Sequence, residues 1–228
     1  MRTMSVQTDL HALASAERAI VSSRFFKTGK LEYGEGDFFL GVTVPDSRKI
    51  AKKYASISLT DVQELLSSRI HEERLTALLI LSQKYKTNKK EIVDFYLKNL
   101  LYVNNWDLVD TSAYKLLGDY LLTQHRSVLY ELVRSANVWE RRIAIVSTFA
   151  FIRVGDFSDT VRICELLLGD KHDLIQKACG WMLREVGKKD EGTLIRFLDK
   201  NYRWMPRTML RYAVERLGDD KKLHYMKL

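Results

Sequence analysis

The 228-residue chain is poor in breakers, with only two prolines and 11 glycines. Such scarcity excludes a turn-rich all-β architecture. Two cysteines, Cys164 and Cys179, are too few for a disulfide framework. Each sits in an apolar helical pattern, which predicts buried, reduced thiols. No run approaches the ~20 apolar residues of a transmembrane helix. The N-terminus also lacks the continuous apolar stretch of a signal peptide. These absences predict a cytoplasmic protein that does not span a membrane. Histidines are few and scattered, at His11, His71, His125, His172 and His224, and none joins an i,i+4 ligand set with a third partner. Gly34 to Gly36 reads GEG without a third glycine, a preceding strand or a following helix, so it is no dinucleotide fingerprint. Neither a nucleophile elbow nor a phosphate-cradling glycine loop occurs. No metal and no cofactor are expected.

What is present is apolar and basic. Hydrophobic residues make up 46% and charged residues 29%, a globular balance. The formal charge is +8, and residues 171–228 hold 14 Lys and Arg against 8 Asp and Glu. Clustered cations displace condensed counterions, so nucleic acid is the natural partner.

Apolar residues recur three and four apart, which predicts helices. The first covers 10–27, and 28–44, with four glycines, reads as a loop or crossing segment. Pro45 opens a short helix, where its missing N–H costs nothing. Thr60 with Gln63 reads as a capping box. Further helices are expected near 60–68, 71–86, 89–102, 106–123, 127–135, 139–154, 158–168, 172–188, 191–201 and 206–217. The second helices of successive pairs begin near His71, Trp106, Trp139, His172 and Pro206, at spacings of 35, 33, 33 and 34. Small residues recur within them at Ala77, Ala113, Ala144 and Ala178. A two-helix repeat of this length is an α-solenoid signature of HEAT or TPR type. The TPR motif is absent, which favours HEAT. The expected architecture is all-α: a right-handed, C-shaped solenoid with a basic concave face lined by the second helices. It is expected as a single domain over 1–228, with N-terminal helices and crossing segment in 1–55 and repeats in 56–228.

The second helices also carry the candidate chemistry. In WDLVD, Trp106 and Asp110 are four apart and share a face. In WERRIAIV, Arg142 follows Trp139 by three; Trp139 is assigned to the core because Arg141 and Arg142 need the solvent side. Lys177, Trp181, Arg184 and Lys188 form one i, i+4, i+7, i+11 stripe, and Arg207 and Arg211 are four apart. Taken singly these are bland features, since a tryptophan at helical spacing is usually core and a Lys/Arg stripe is usually a solvated face. Their register across repeats sets them apart.

Segments including RFFKTGKLEYGEGDFFLGVTVPDSRKIAKKY, HEERLTALLILSQKY, YVNNWDLVDTSA, WERRIAIVSTFAFIRVGDF, DKHDLIQKACGWMLREVGK and MPRTMLRYAVERL resemble the HEAT-repeat DNA alkylation-repair glycosylases, the AlkD family. The resemblance covers almost the whole chain. It implies binding of duplex DNA and metal-free hydrolysis of the N-glycosidic bond of cationic N3- or N7-alkylated purines. It also implies that base extrusion is dispensable. The family's catalytic pattern falls on Trp106, Asp110, Arg142 and Trp181. Asn105 departs from it, where some members carry another aromatic. Lys177, Arg184, Lys188, Arg207 and Arg211 are the expected phosphate contacts, and the protein is expected to be a monomer. Two other functions fit the scaffold: a DNA binder without excision and a protein-interaction solenoid. The four catalytic residue types favour the glycosylase, and the basic excess disfavours the last.

Overall fold

A computed structural model describes residues 2–227, with no strand among them. The fold is the expected all-helical repeat array. It divides into two compact units, Met1–Ser112 and Ala113–Leu228.

The first unit holds α1 (Arg2–Ala12), α2 (Ala16–Phe25), α3 (Val44–Lys53), α4 (Leu59–Leu66), α5 (His71–Lys84), α6 (Lys89–Lys98), a 3-10 turn (Leu100–Tyr102) and α7 (Trp106–Ser112). The second holds a π-helical turn (Tyr114–Gly118), α8 (Ser127–Leu132), α9 (Val138–Ser147), α10 (Phe149–Arg153), α11 (Ser158–Leu166), α12 (Asp173–Lys189), α13 (Glu191–Asn201), α14 (Arg207–Ala213) and α15 (Asp219–Met226). The second helices start within a residue of their expected positions. Ala77, Ala113, Ala144 and Ala178 are all buried, as stacking of small residues against a neighbouring helix requires.

Each unit is organised around one helix. Every residue of α5 from His71 to Leu81 is buried, including Glu72, Glu73 and Arg74, and α3, α4 and α7 pack on it. In the second unit α12 is central and contacts α9, α11, α13 and α14. Gly180 permits its approach to α14, because a Cβ there would lie 2.5 Å from the Met209 carbonyl oxygen. Cys164 and Cys179 are buried free thiols, as expected. No described helix is long and apolar enough to cross a membrane.

Several expectations are corrected, and the helix expected over 139–154 is divided at Thr148 into α9 and α10. Residues 10–27 are not one helix: α1 ends at Ala12, and Ser15 caps α2 by accepting from the Arg18 N–H at 3.4 Å. The capping box is formed by Ser58 and Asp61, which exchange backbone and side-chain hydrogen bonds of 3.0 Å, since Thr60 already lies inside the first turn. The helix expected over 106–123 stops at Ser112 and gives way to the π turn. Finally, α15 was not expected, because it buries only Tyr225 and so carries no apolar stripe.

Residues 28–43 do cross the first unit without regular structure. Their end is pinned by Glu72, whose carboxylate accepts from the backbone N–H groups of Leu40 (3.0 Å), Gly41 (2.8 Å) and Val42 (3.2 Å). Gly41 has φ +77°, and a Cβ there would run into the Ser15 carbonyl and lie 2.6 Å from the Ala19 nitrogen. Left-handed backbone costs a non-glycine residue ~1–2 kcal/mol, and overpacking adds ~1–3 kcal/mol. Gly41→Ala should therefore destabilise the protein by about 3 kcal/mol, a fall in Tm of roughly 6–12 °C at this chain length. An unchanged thermal melt would show that the crossing segment does not pack on α2 in this way.

Candidate nucleic-acid interface and its aromatic site

Asn105 starts α7. It is buried, and its side-chain carbonyl accepts the Trp106 N–H at 2.8 Å. The residue that departs from the aromatic of the resemblance thus takes up a capping role. Trp106 follows, half-buried, with its ring plane fixed by two phenylalanines. Phe26 stacks on it at 5.2 Å between centroids and 15° between planes, and Phe25 meets it edge-on at 5.7 Å. One turn on, Asp110 is half-buried. Below it Tyr96 is fully buried and bonded to Ser112 at 3.0 Å. Burial first, and then the charge of Asp110, push the Tyr96 hydroxyl well above its ordinary range.

Behind the Phe26–Trp106 stack lies an ionic cluster. His71 is 2% exposed, with Nδ1 3.3 Å from Asp37 and Nε2 2.8 Å from Asp107. Arg74 Nη2 lies 2.6 Å from the same Asp37 carboxylate. Burial raises the Asp37 pKa, but the His71 hydrogen bond and the Arg74 charge outweigh it and hold the carboxyl below its ordinary value. For His71 burial acts downward; the charge and hydrogen bond of Asp107, then the Asp37 bond, prevail and hold the ring above its ordinary value. Phe39 stacks on the imidazole at 4.5 Å and Phe26 lies 4.9 Å from it. A cavity of about 470 Å³ opens beside this cluster, lined in part by Phe26, Phe39, His71, Glu72 and Asp107.

In the second unit the structure separates Arg142 from the expected solvent side. It is 5% exposed, and its Nη1 donates to the Leu174 carbonyl at 2.5 Å. Arg141 is engaged too, with Asp170 at 2.7 Å and with the Ser135 and Ala136 carbonyls. Two adjacent arginines on α9 therefore brace it against the start of α12 and the loops before both helices. Trp139 is buried, in agreement with its core assignment. Trp181 is half-buried on α12 and is approached by Phe149 at 5.9 Å, which in turn meets Tyr114 of the π turn at 5.3 Å.

The basic stripe is partly neutralised. Lys177 pairs with Asp173 at 2.6 Å, Lys188 with Glu185 at 2.8 Å, and Arg184 with Glu215 and Glu185. Arg207 is exposed and donates to the Met226 carbonyl at 3.2 Å, and Arg211 is exposed. An indole the sequence reading passed over, Trp204, stands 79% exposed in the same stretch as Arg203 and Arg207.

A family model of DNA alkylation repair enzymes matches residues 6–217. The chain belongs to this family. Among solved structures, a predicted DNA alkylation repair enzyme from Enterococcus faecalis superposes with a TM-score of 0.73 at 18% identity, covering 90% of this chain and 97% of that one. AlkD2 from Streptococcus mutans gives 0.57 at 17% identity, covering 89% and 98%. The smu.31 protein from Streptococcus mutans UA159 gives 0.57 at 18% identity, covering 77% and 93%. At these identities the likeness is one of fold. No curated protein matches the sequence.

In this DNA alkylation repair enzyme, the cluster of Asp37, His71, Arg74 and Asp107 escaped the sequence reading. His71 stands 34 and 36 residues from its two carboxylates, so no local spacing betrays it. The one available signal was HEER at a helix start, three successive charges ahead of a mostly apolar run from Leu75 to Leu81. Among the described residues no group of three or more His, Cys, Asp and Glu could hold a metal.

Proposed function

We propose that this DNA alkylation repair enzyme is a glycosylase that hydrolyses the N-glycosidic bond of cationic N3- or N7-alkylated purines in duplex DNA. The observation that carries the reading is the pairing on α7 of a ring-locked indole, Trp106, with a half-buried carboxylate one turn away, Asp110. An alkylated purine already carries positive charge. It departs with the C1′–N bonding pair, which neutralises it, so no strong general acid is needed. The sugar is left oxocarbenium-like. Asp110 stabilises that cation and accepts a proton as water adds to C1′. An indole face attracts a cation by ~0.5–2 kcal/mol, the role assigned to Trp106 and to Trp181. Arg142 contributes as a brace of α9, through its bond to the Leu174 carbonyl. The products are free base and an abasic site. Accordingly, duplex DNA carrying N7-methylguanine should acquire alkali-labile sites without strand breaks before alkali. Breaks formed by the protein alone would contradict a simple hydrolase.

Lys177, Arg184, Lys188, Arg207 and Arg211 are assigned to backbone phosphates. The carboxylate partners of the first three must be exchanged for phosphate on binding, whereas Arg207 and Arg211 are exposed. The double variant Arg207→Ala/Arg211→Ala should flatten the log–log salt dependence of duplex binding by about 1.8, at ~0.9 per lost phosphate contact. A salt titration with wild-type slope would remove both residues from the interface.

A further inference from the structure

Both ring nitrogens of His71 face carboxylate oxygens, Asp37 on one side and Asp107 on the other. A neutral imidazole has one N–H and cannot donate to both, whereas the protonated ring can. The other charged groups at hand leave this balance intact. Arg74 is spent on Asp37 and the Ser68 carbonyl. Glu72 is spent on three backbone N–H groups, and Glu73 faces Gln7 and His11. Two carboxylates thus meet two cations only when His71 is charged. The partners lie on different parts of the fold: Asp37 in the crossing segment, Asp107 beside Trp106 on α7. Phe26 and Phe39 bear on the imidazole, and the same Phe26 covers one face of Trp106.

We propose that protonated His71 is the positioning residue for Trp106: it ties the crossing segment to α7 and so holds Phe26 flat against the indole. Its consequence for excision rests on the glycosylase reading; the positioning does not. The ring's folded pKa is raised, so its stabilising contribution is complete below the unfolded histidine value of ~6.5. That contribution is lost as pH rises through the folded pKa. Above it one carboxylate loses its donor and the aromatic stack loosens.

The test uses full-length protein labelled with fluorotryptophan and with nitrogen-15 histidine. At neutral pH both His71 nitrogens should be protonated. On raising the pH, the Trp106 fluorine resonance, assigned by its loss in Trp106→Phe, should move with the His71 midpoint, while those of Trp139 and Trp204 stay. The midpoint should fall in Asp107→Asn, whose amide can serve a neutral ring. His71→Gln should hold the Trp106 resonance at its alkaline position and slow base release about tenfold or more; if it fails to fold, the wild-type titration decides. A Trp106 resonance that stays fixed while His71 titrates, or a His71 ring neutral at neutral pH, would overturn the proposal. Coupled titration without base release at any pH would sustain the positioning and remove the glycosylase reading. Base release without the coupling would do the reverse.

Discussion

Asp110→Asn should slow single-turnover release of a cationic alkylated purine by about a hundredfold or more, the scale of a lost catalytic carboxylate, while duplex affinity and thermal melting stay close to wild type. The exchange keeps the shape of the side chain and removes the charge that stabilises the sugar cation and accepts the water proton. Asp110 is half-buried near the Tyr96 hydroxyl, whose pKa its charge helps to raise; Asn relieves that pressure, so no penalty to folding is expected from this contact. Trp106→Ala should cost less, about tenfold, because a cation–π contact of ~1.4 kcal/mol is one decade. If a well-folded Asp110→Asn protein releases base at the wild-type rate, the carboxylate is a surface group and the catalytic assignment is wrong.

Arg142→Ala should act first on stability. The guanidinium is buried and donates to the Leu174 carbonyl from α9 to the start of α12. A hydrogen bond from a charged donor contributes ~1.5–3 kcal/mol, and truncation also empties the volume of a packed stem. The expected loss is about 3 kcal/mol, or roughly 6–12 °C in Tm. Arg142→Lys should recover only part of it, since an ammonium lacks the planar fork. A truncated protein that melts like wild type but loses duplex affinity would return Arg142 to the role of a solvent-facing phosphate anchor.

The contrast between Arg142 and Trp106 marks how far the sequence is legible. Helix starts near His71, Trp106 and Trp139 follow from apolar periodicity and repeat spacing, which are local and redundant; the last falls one residue earlier, at Val138. Trp139 is assigned to the core on the premise that Arg141 and Arg142 take the solvent side, and it is buried. The same phase argument failed for Arg142, because the start of α12 covers it and supplies a carbonyl that α9 alone does not reveal. In the same way, the i,i+4 relation put Trp106 and Asp110 on one face but could not show that Phe26, 80 residues earlier, would cover one side of the indole. Glu72 and His71 were hidden for a related reason. A buried charge is tolerated only with partners, and these come from the crossing segment and α7. Low apolar content concealed α15, and tertiary capping by Ser15 split what periodicity alone would join into one helix.

Release of free base from methylated duplex DNA by the wild-type protein, at saturating enzyme and in a single turnover, tests the central claim most directly. The account predicts first-order appearance of N3-methyladenine and N7-methylguanine well above the enzyme-free rate. Tight, salt-sensitive binding of the same duplex with release no faster than in its absence would contradict it and leave a DNA-binding protein without excision.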